Sequence, residues 1–192
     1  MAFATIDVTK GITGTIPVAN GGTGLTSGTS GQFLKFTGST TLASAADNGK
    51  VIQIVNTPSV GGNNATTSTS YIATGVTLSI TPTKASSKIY LLYSIPTNVA
   101  TANSSTKTKV YRQVNSGGFS SVSDFSINNH VYMNGASSVS QFSTVQWLDT
   151  PTYSLTDVLH YKLYFASSDG GNVNIYNEGG NRNNLTLMEI AA

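Results

Sequence analysis

Apolar and polar residues alternate along most of this chain, in short segments separated by clusters of Gly, Asn, Ser, Thr and Pro. Apolar residues at every second position predict β-strands with one buried and one exposed face. The pattern is clearest in residues 158–167. The residues predicted to face inward there are Leu159, Tyr161, Leu163 and Phe165. No stretch combines a helical period with capping residues, so the pattern predicts an all-β protein.

Residues 88–95 depart from this alternation, because apolar side chains occupy consecutive positions. A run of this kind predicts a strand that is covered on both faces. Pro96 is predicted to end the strand, and residues 97–106 are predicted to form a polar loop. The strand and turn signals of residues 50–192 together predict an antiparallel jelly-roll β-sandwich of about eight to ten short strands.

The first 30 residues differ from the rest, because Gly is frequent and apolar side chains are sparse. Pro17 and the surrounding Gly residues exclude a helix and favour extended chain. Such a segment does not bury enough apolar surface to fold alone. We therefore predict that residues 1–30 form an extended segment that anchors the chain to a larger particle. The candidate anchoring residues are Phe3, Ile6, Val8, Ile12, Ile16, Pro17 and Val18.

Residues 31–49 are predicted to form a small hairpin that continues this stalk. Apolar side chains from Phe33 to Phe36 lead to a Gly-Ser turn, after which the chain returns. An isolated two-stranded hairpin is only marginally stable in water, so this hairpin is predicted to pack against a partner chain. The turn signal at residues 47–50 marks the predicted domain boundary, and residues 50–192 form the predicted head.

Composition excludes several classes of function. Charged residues make up only 9% of the chain, against about 25% in a typical soluble domain. The ten basic residues are scattered and the net charge is +2, which argues against nucleic-acid binding. The absence of cysteine excludes disulfides and thiolate metal sites. No apolar run approaches the ~20 residues of a membrane span, and the first residues do not resemble a signal peptide.

The residues offer no clear catalytic constellation. Most of the eight carboxylates fall at predicted turns, where Asp binds its own backbone. A polysaccharide-cleaving enzyme needs two carboxylates in one cleft, and Asp124 with either Asp157 or Glu178 leaves that alternative open. His130 and His160 are too few for a metal site. We therefore predict a protein without enzymatic activity or cofactor. Gly22 and Gly24 lack the strand and helix that a nucleotide-binding fingerprint requires.

Several segments resemble fibre proteins of tailed bacteriophages. Residues 16–24, Ile-Pro-Val-Ala-Asn-Gly-Gly-Thr-Gly, are similar to a motif that recurs in those fibres, and residues 31–38, Gly-Gln-Phe-Leu-Lys-Phe-Thr-Gly, to the unit that often follows it. An ordered set of further segments resembles a head domain found on many phage fibres. These segments are residues 51–55, 74–82, 86–89, 148–151, 160–164 and 185–191. The resemblance covers most of residues 14–192.

The resemblance implies a homotrimeric virion fibre, whose jelly-roll head is similar to complement and tumour-necrosis-factor domains. Its N-terminus is expected to dock on other phage proteins of the tail, connector or capsid. The head is expected to contact a glycan or protein of the host surface. Residues 97–140 match no part of the family pattern, so loops there are the candidates for host contact. These candidates are Asn98, Asn103, Ser116, Phe119, Asn128, His130 and Asn134.

Tyrosines on several predicted strands suggest a second buried surface, because Tyr suits interfaces where one end of the ring stays hydrated. The candidate trimer-interface residues are Tyr90, Tyr93, Tyr111, Tyr161 and Tyr164.

The expected location is the virion, assembled in the host cytoplasm, with neither nucleic-acid binding nor membrane insertion. Two alternatives stay open. One is a capsid-decorating fibre without a strict adsorption role, and the other is a small glycan depolymerase.

Overall fold

The computed structural model divides the chain into two compact units, Met1–Asn48 and Gly49–Ala192. The boundary falls inside the turn predicted at residues 47–50. The residues that the structure describes are 16, 22–23, 25, 27–30, 32–39, 41–45, 49–58, 64–122, 132–135, 138–175 and 184–192.

Every strand pair is antiparallel, and the described residues contain no helix. The prediction of an all-β antiparallel protein is therefore confirmed. Among the described residues, no helix is long and apolar enough to cross a membrane. The strands are β1 (Phe33–Phe36), β2 (Leu42–Ala45), β3 (Val51–Pro58), β4 (Asn64–Thr66), β5 (Ile72–Ile80), β6 (Lys88–Val99), β7 (Ser104–Val114), β8 (Ser120–Ser121), β9 (Tyr132–Met133), β10 (Val139–Asp149), β11 (Leu159–Ser167), β12 (Val173–Ile175) and β13 (Asn184–Ile190).

The first unit contains the hairpin expected within residues 31–49, in which β1 pairs with β2. All four residues of β1 are exposed, including Phe33, Leu34 and Phe36. Upstream of the hairpin, a side chain on Gly22 would overlap the carbonyl oxygen of Ile16. Glycine at position 22 therefore permits a close backbone approach inside the Gly-rich motif. Among the candidate anchoring residues, only Ile16 belongs to the described part of the chain.

The second unit consists of two sheets. The first sheet has the order β3-β13-β6-β12-β4, with β10 on the opposite edge of β6. The second sheet has the order β5-β11-β7-β8, and β9 also pairs with β7. Hydrogen bonds from Gly49 N to Ala191 O, 2.7 Å, and from Ala191 N to Lys50 O, 2.9 Å, join the start of this unit to its end.

The inner faces of the two sheets share one hydrophobic core. The four residues of β11 that were predicted to face inward are all fully buried: Leu159, Tyr161, Leu163 and Phe165. Alternate residues of β6 and β13 in the first sheet belong to the same core, including Ile95 and Leu187. Because the inward positions of both sheets are apolar at every second residue, the sheets pack as a β-sandwich.

A buried polar contact connects the two sheets. Asp149 at the end of β10 accepts from Arg112 Nη1 of β7 at 2.5 Å and from the hydroxyl of Tyr161 of β11 at 2.6 Å. Burial raises the pKa of Tyr161 well above its ordinary value, and the neighbouring Asp149 charge raises that pKa further. The phenol therefore stays protonated and acts as a donor to the carboxylate.

A second buried carboxylate holds the connection between β5 and β6. The side chain of Glu189 is fully buried and accepts from the amide nitrogens of Thr83, at 2.9 and 3.0 Å, and Lys84, at 3.1 Å. With its amide oriented to donate, Gln53 also reaches Glu189 Oε2 at 3.1 Å. The sequence places Glu189 within the closing strand, where it serves as an anchor for a loop.

Strand β6 is longer than predicted. Pro96 does not end it, and the strand continues to Val99, so the predicted loop at residues 97–106 shrinks to residues 100–103. Asn98 is buried and donates to Val139 O at 3.1 Å and to Ser140 Oγ at 2.8 Å. The polar side chains of this part of β6 are thus bonded to β10. Asn98 was wrongly predicted as a host-contact loop residue.

Candidate self-association surface

The outer face of the first sheet carries a row of apolar side chains across four strands. Cross-strand pairs place Ile54 of β3 beside Met188 of β13, Met188 beside Tyr90 of β6, and Tyr90 beside Leu148 of β10. Paired residues point to the same side of a sheet, so these four side chains form one continuous strip.

The strip is part of a larger exposed surface. The side chains of Ile54, Phe142, Val51 and Leu148 are exposed by 61%, 58%, 49% and 45%. The remaining large exposed hydrophobic residues described in this unit are Tyr132 and Leu155, which lie outside the first sheet. We call the residues of this surface the apolar face. They are Val51, Ile54, Tyr90, Leu92, Phe142, Leu148, Met188 and Ile190.

The sequence of β6 explains why the apolar face exists. Its inward residues include Ile89 and Leu91, which are buried in the core. Tyr90 and Leu92 alternate with them and therefore point outward, where they are half-buried. The apolar run of residues 88–95 predicts a strand covered on both sides, yet the sandwich covers only one side. This strand is suited to a second packing surface.

Polar groups near the apolar face bind one another within the chain. The hydroxyl of Tyr90 donates to Gln146 Oε1 at 2.6 Å, so the ring is tethered to the sheet. Asn56 Nδ2 donates to Thr186 Oγ1 at 2.7 Å and to Asn184 Oδ1 at 2.9 Å. Lys88, which pairs with Ile190, places one positive charge at the edge of the apolar face. An apolar centre with a polar border is the usual composition of a protein interface.

The five tyrosines predicted at a trimer interface do not share one surface. Tyr93 and Tyr161 are buried in the core of the chain itself, so these two were wrongly predicted to contact another subunit. Burial raises the pKa of Tyr93 well above its ordinary value. Tyr90 lies on the apolar face, whereas Tyr111 and Tyr164 lie on the outer face of the second sheet, on the opposite side of the sandwich.

The outer face of the second sheet combines aromatic rings with lysines. The rings of Tyr111 and Tyr164 lie 4.0 Å apart between centroids, and Phe119 lies 6.4 Å from Tyr164. Lys162 Nζ lies 4.9 Å from the ring centroid of Phe119. Burial raises the pKa of Tyr111, and the nearby Tyr164 raises it further. We call this surface the aromatic–lysine face. It consists of Tyr71, Lys107, Lys109, Tyr111, Phe119, Lys162 and Tyr164.

Three of the candidate host-contact residues lie at two ends of the sandwich, namely Asn103, Asn134 and Ser116. Asn103 has a positive φ of 58° and precedes β7, and its amide donates to Met133 O at 2.7 Å, which brings it near Asn134. Ser116 follows the other end of β7, about 35 Å away along the strand. Phe119 belongs to the aromatic–lysine face. The remaining candidates in the loops, Asn128 and His130, lie outside the described residues.

The described carboxylates of the head are engaged in hydrogen bonds that build the fold. Asp169 accepts from Ser104 Oγ at 2.6 Å, and this bond lowers the pKa of Asp169. Asp157 accepts from Ser154 N at 2.7 Å and Asn115 Nδ2 at 2.8 Å, which lower its pKa likewise. Asp124 and Glu178, which a glycan-cleaving pair would require beside Asp157, lie outside the described residues.

His160 makes a cross-strand contact rather than joining a ligand cluster. Its Nδ1 lies 2.6 Å from the hydroxyl oxygen of Ser79, which is the residue paired with it on β5. Among the described residues, no group of three His, Cys, Asp or Glu side chains is arranged to hold a metal ion.

Comparison with known proteins leaves the chain without an assigned family. No family model and no curated protein matches it. Among solved structures, the crystal structure of the infectious bursal disease virus VP2 subviral particle is similar, with a TM-score of 0.42 and 10% identity over 82% of this chain and 41% of that chain. The structure of the Gx strain of that virus has a TM-score of 0.40 and 9% identity over 81% and 40%. The chain thus spans about two fifths of their length, and at these values the likeness carries no argument about function.

Proposed function

We propose that this chain is a structural fibre protein of a tailed-bacteriophage virion. In this proposal the protein is a homotrimer that is anchored through residues 1–30, and its head attaches the particle to the host surface. The observation that carries the proposal is the apolar face on the first sheet. The fibre-like motifs of the sequence indicate that the assembly is a fibre, and the apolar face supplies a surface through which three copies associate.

The apolar face favours association energetically. Full burial of a Val, Leu, Ile or Phe side chain stabilises by about 1.5–3 kcal/mol. Val51, Ile54, Phe142 and Leu148 each retain about half of their surface in contact with solvent. Covering these four side chains with a neighbouring subunit would therefore contribute about 4 kcal/mol per chain, before the cost of association.

The first unit supports self-association independently. Its hairpin has only two strands, and the aromatic side chains of Phe33 and Phe36 are exposed by 54% and 65%. Two strands alone are marginally stable in water. Packing of three hairpins around a common axis would cover these rings. Each hairpin would then have the packing partners that a single two-stranded hairpin lacks.

The strand order supports the jelly-roll form of the head. Eight strands form its frame: β3, β5, β6, β7, β8, β10, β11 and β13. Numbered in this order along the chain, they read 1-8-3-6 across the first sheet and 2-7-4-5 across the second. Two interleaved Greek keys of this kind make a jelly roll, and such a frame leaves the outer faces of both sheets available for contacts.

Labelling intact phage particles with an antibody against the head tests this function. We expect label on fibres, and we expect the purified full chain to compete with the phage for adsorption to its host. Label at the tail supports the attachment role, whereas label on the capsid without competition supports a decorating fibre. Absence of label from intact particles contradicts the proposal. Release of oligosaccharides from host polysaccharide would assign the protein to the depolymerases instead.

A further inference from the structure

We propose that the aromatic–lysine face of the second sheet binds a carboxylate-bearing polysaccharide of the host surface. This inference deepens the proposed attachment function and rests on it. It identifies both the part of the head that makes contact and the chemistry of the ligand. The two outer faces of the sandwich then have separate roles, one in self-association and one in binding.

Charge is the first argument for an acidic ligand. Lys107 and Lys109 lie on the outer side of β7, and Lys162 lies beside them on β11, where it pairs with Tyr111. These three are among the ten basic residues of a chain whose net charge is only +2. No Asp or Glu lies among the described residues on the outer sides of β5, β7 and β11.

Two described acids, Asp157 and Asp169, lie at the two ends of the sheet, where hydrogen bonds hold them in place as carboxylates. Asp157 accepts from Ser154 N and Asn115 Nδ2 near one end of β7. Asp169 accepts from Ser104 Oγ at the other end. The lysines between them therefore form a positive strip that complements a chain of carboxylates.

Aromatic geometry is the second argument. Tyr111 and Tyr164 form a tilted pair with an interplanar angle of 31°, and Phe119 continues the cluster. Both tyrosines are half-buried, so the sheet fixes their orientation before a ligand arrives. Fixed rings offer apolar surfaces to the C–H groups of sugar rings, and a tyrosine hydroxyl can form a hydrogen bond with a sugar hydroxyl.

The amino groups of two lysines lie over aromatic rings of this face. Lys162 Nζ is 4.9 Å from the centroid of Phe119, and Lys107 Nζ is 5.9 Å from that of Tyr71. A ligand that stacks on the rings therefore meets a cation within hydrogen-bonding reach. The alternation of ring and cation fits a polymer that repeats sugar and carboxylate. A nucleic acid would engage a longer track of cations to neutralise its phosphates.

Binding of hexagalacturonate to the full chain at low salt, measured by titration calorimetry, tests the inference. We expect binding that weakens as NaCl is raised, because the contacts are charged. Replacing Lys109→Gln and Lys162→Gln together should weaken binding at least about tenfold. The matched control Lys35→Gln with Lys88→Gln removes two charges from outside the aromatic–lysine face and should leave binding unchanged. Tyr164→Leu should weaken binding without altering the salt dependence.

Other outcomes overturn the inference. Maltohexaose, which is uncharged, should not bind, and equal binding of the two saccharides contradicts a role for the lysines. Tighter binding of a DNA oligonucleotide than of hexagalacturonate would assign the face to nucleic acid. Light scattering on the same sample separates the two proposals. A trimer that does not bind hexagalacturonate refutes the saccharide site alone, whereas a monomer refutes the fibre.

Discussion

The hydroxyl of Tyr161 donates to the carboxylate of Asp149 at 2.6 Å, across the interior between the two sheets of the head. Tyr161 lies on β11 of the second sheet, and Asp149 ends β10 of the first. Arg112 of β7 completes the contact with an ion pair to the same carboxylate oxygen. This arrangement joins the sheet with the apolar face to the sheet with the aromatic–lysine face.

Replacing Asp149→Asn should destabilise the head by about 3–5 kcal/mol, because it leaves the Arg112 charge without its buried partner. Urea denaturation followed by tryptophan fluorescence measures the change. The matched control Asp157→Asn removes a carboxylate at the surface and should cost less. Equal losses of unfolding free energy in the two variants would show that the buried ion pair stabilises the head no more than a surface carboxylate does.

Replacing Glu189→Gln should loosen the connection between β5 and β6. The amide oxygen of Gln accepts fewer bonds than the carboxylate, so the amides of Thr83 and Lys84 lose part of their bonding. We expect a loss of about 3 kcal/mol in the free energy of unfolding. Hydrogen exchange at these two amides should accelerate more than exchange in the core of β11. Unchanged exchange at both would contradict the anchoring role.

Replacing Gly171→Ala should destabilise the head by about 1–3 kcal/mol through overpacking. A methyl group at Gly171 would lie 2.5 Å from both Cβ and Oγ of Ser104. Gly118→Ala is the matched control, because a methyl group there meets no atom within 4 Å. Thermal unfolding of the two variants should separate them clearly, and equal melting temperatures would rule out the predicted clash.

The stability of the head should fall in acid, in part through Asp169. Hydrogen bonds from Ser104 and from Gly171 N hold the pKa of this carboxyl below its ordinary value of 3.8. Its contribution to stability is therefore present above that value and is lost as the pH falls through the lower folded pKa. The drop in melting temperature from pH 5 to pH 2 should be smaller in Asp169→Asn than in the original chain. An identical drop in both proteins would contradict this account.

The sequence was sufficient to predict which residues of β11 face the core, because alternation alone decides that. The sequence was not sufficient to predict the position of Asn98, because a polar residue that follows Pro96 is typical of a loop. Its place in β6 depends on hydrogen bonds to Val139 and Ser140, which are distant in sequence. The pairing of strands, rather than local composition, determined the end of β6.

The apolar face also required the fold. Ile54 and Leu148 are far apart in the chain and belong to one strip only because β13 and β6 lie between their strands. The run of apolar residues in β6 did indicate that both faces of this strand pack against other protein surfaces. Tyrosine content alone predicted one interface, whereas the strands distribute those tyrosines between the core and two opposite outer faces.

The molar mass of the full chain in solution tests the central claim most directly. Light scattering after size-exclusion chromatography should give three times the chain mass of 20.0 kDa. The double variant Ile54→Asp and Leu148→Asp should shift the mass toward a single chain, because charges on the apolar face resist burial. The control Leu155→Asp, at a residue that is exposed by 52% but lies off that face, should keep the trimer mass. An original chain at 20.0 kDa, or a double variant that remains trimeric, would contradict the account.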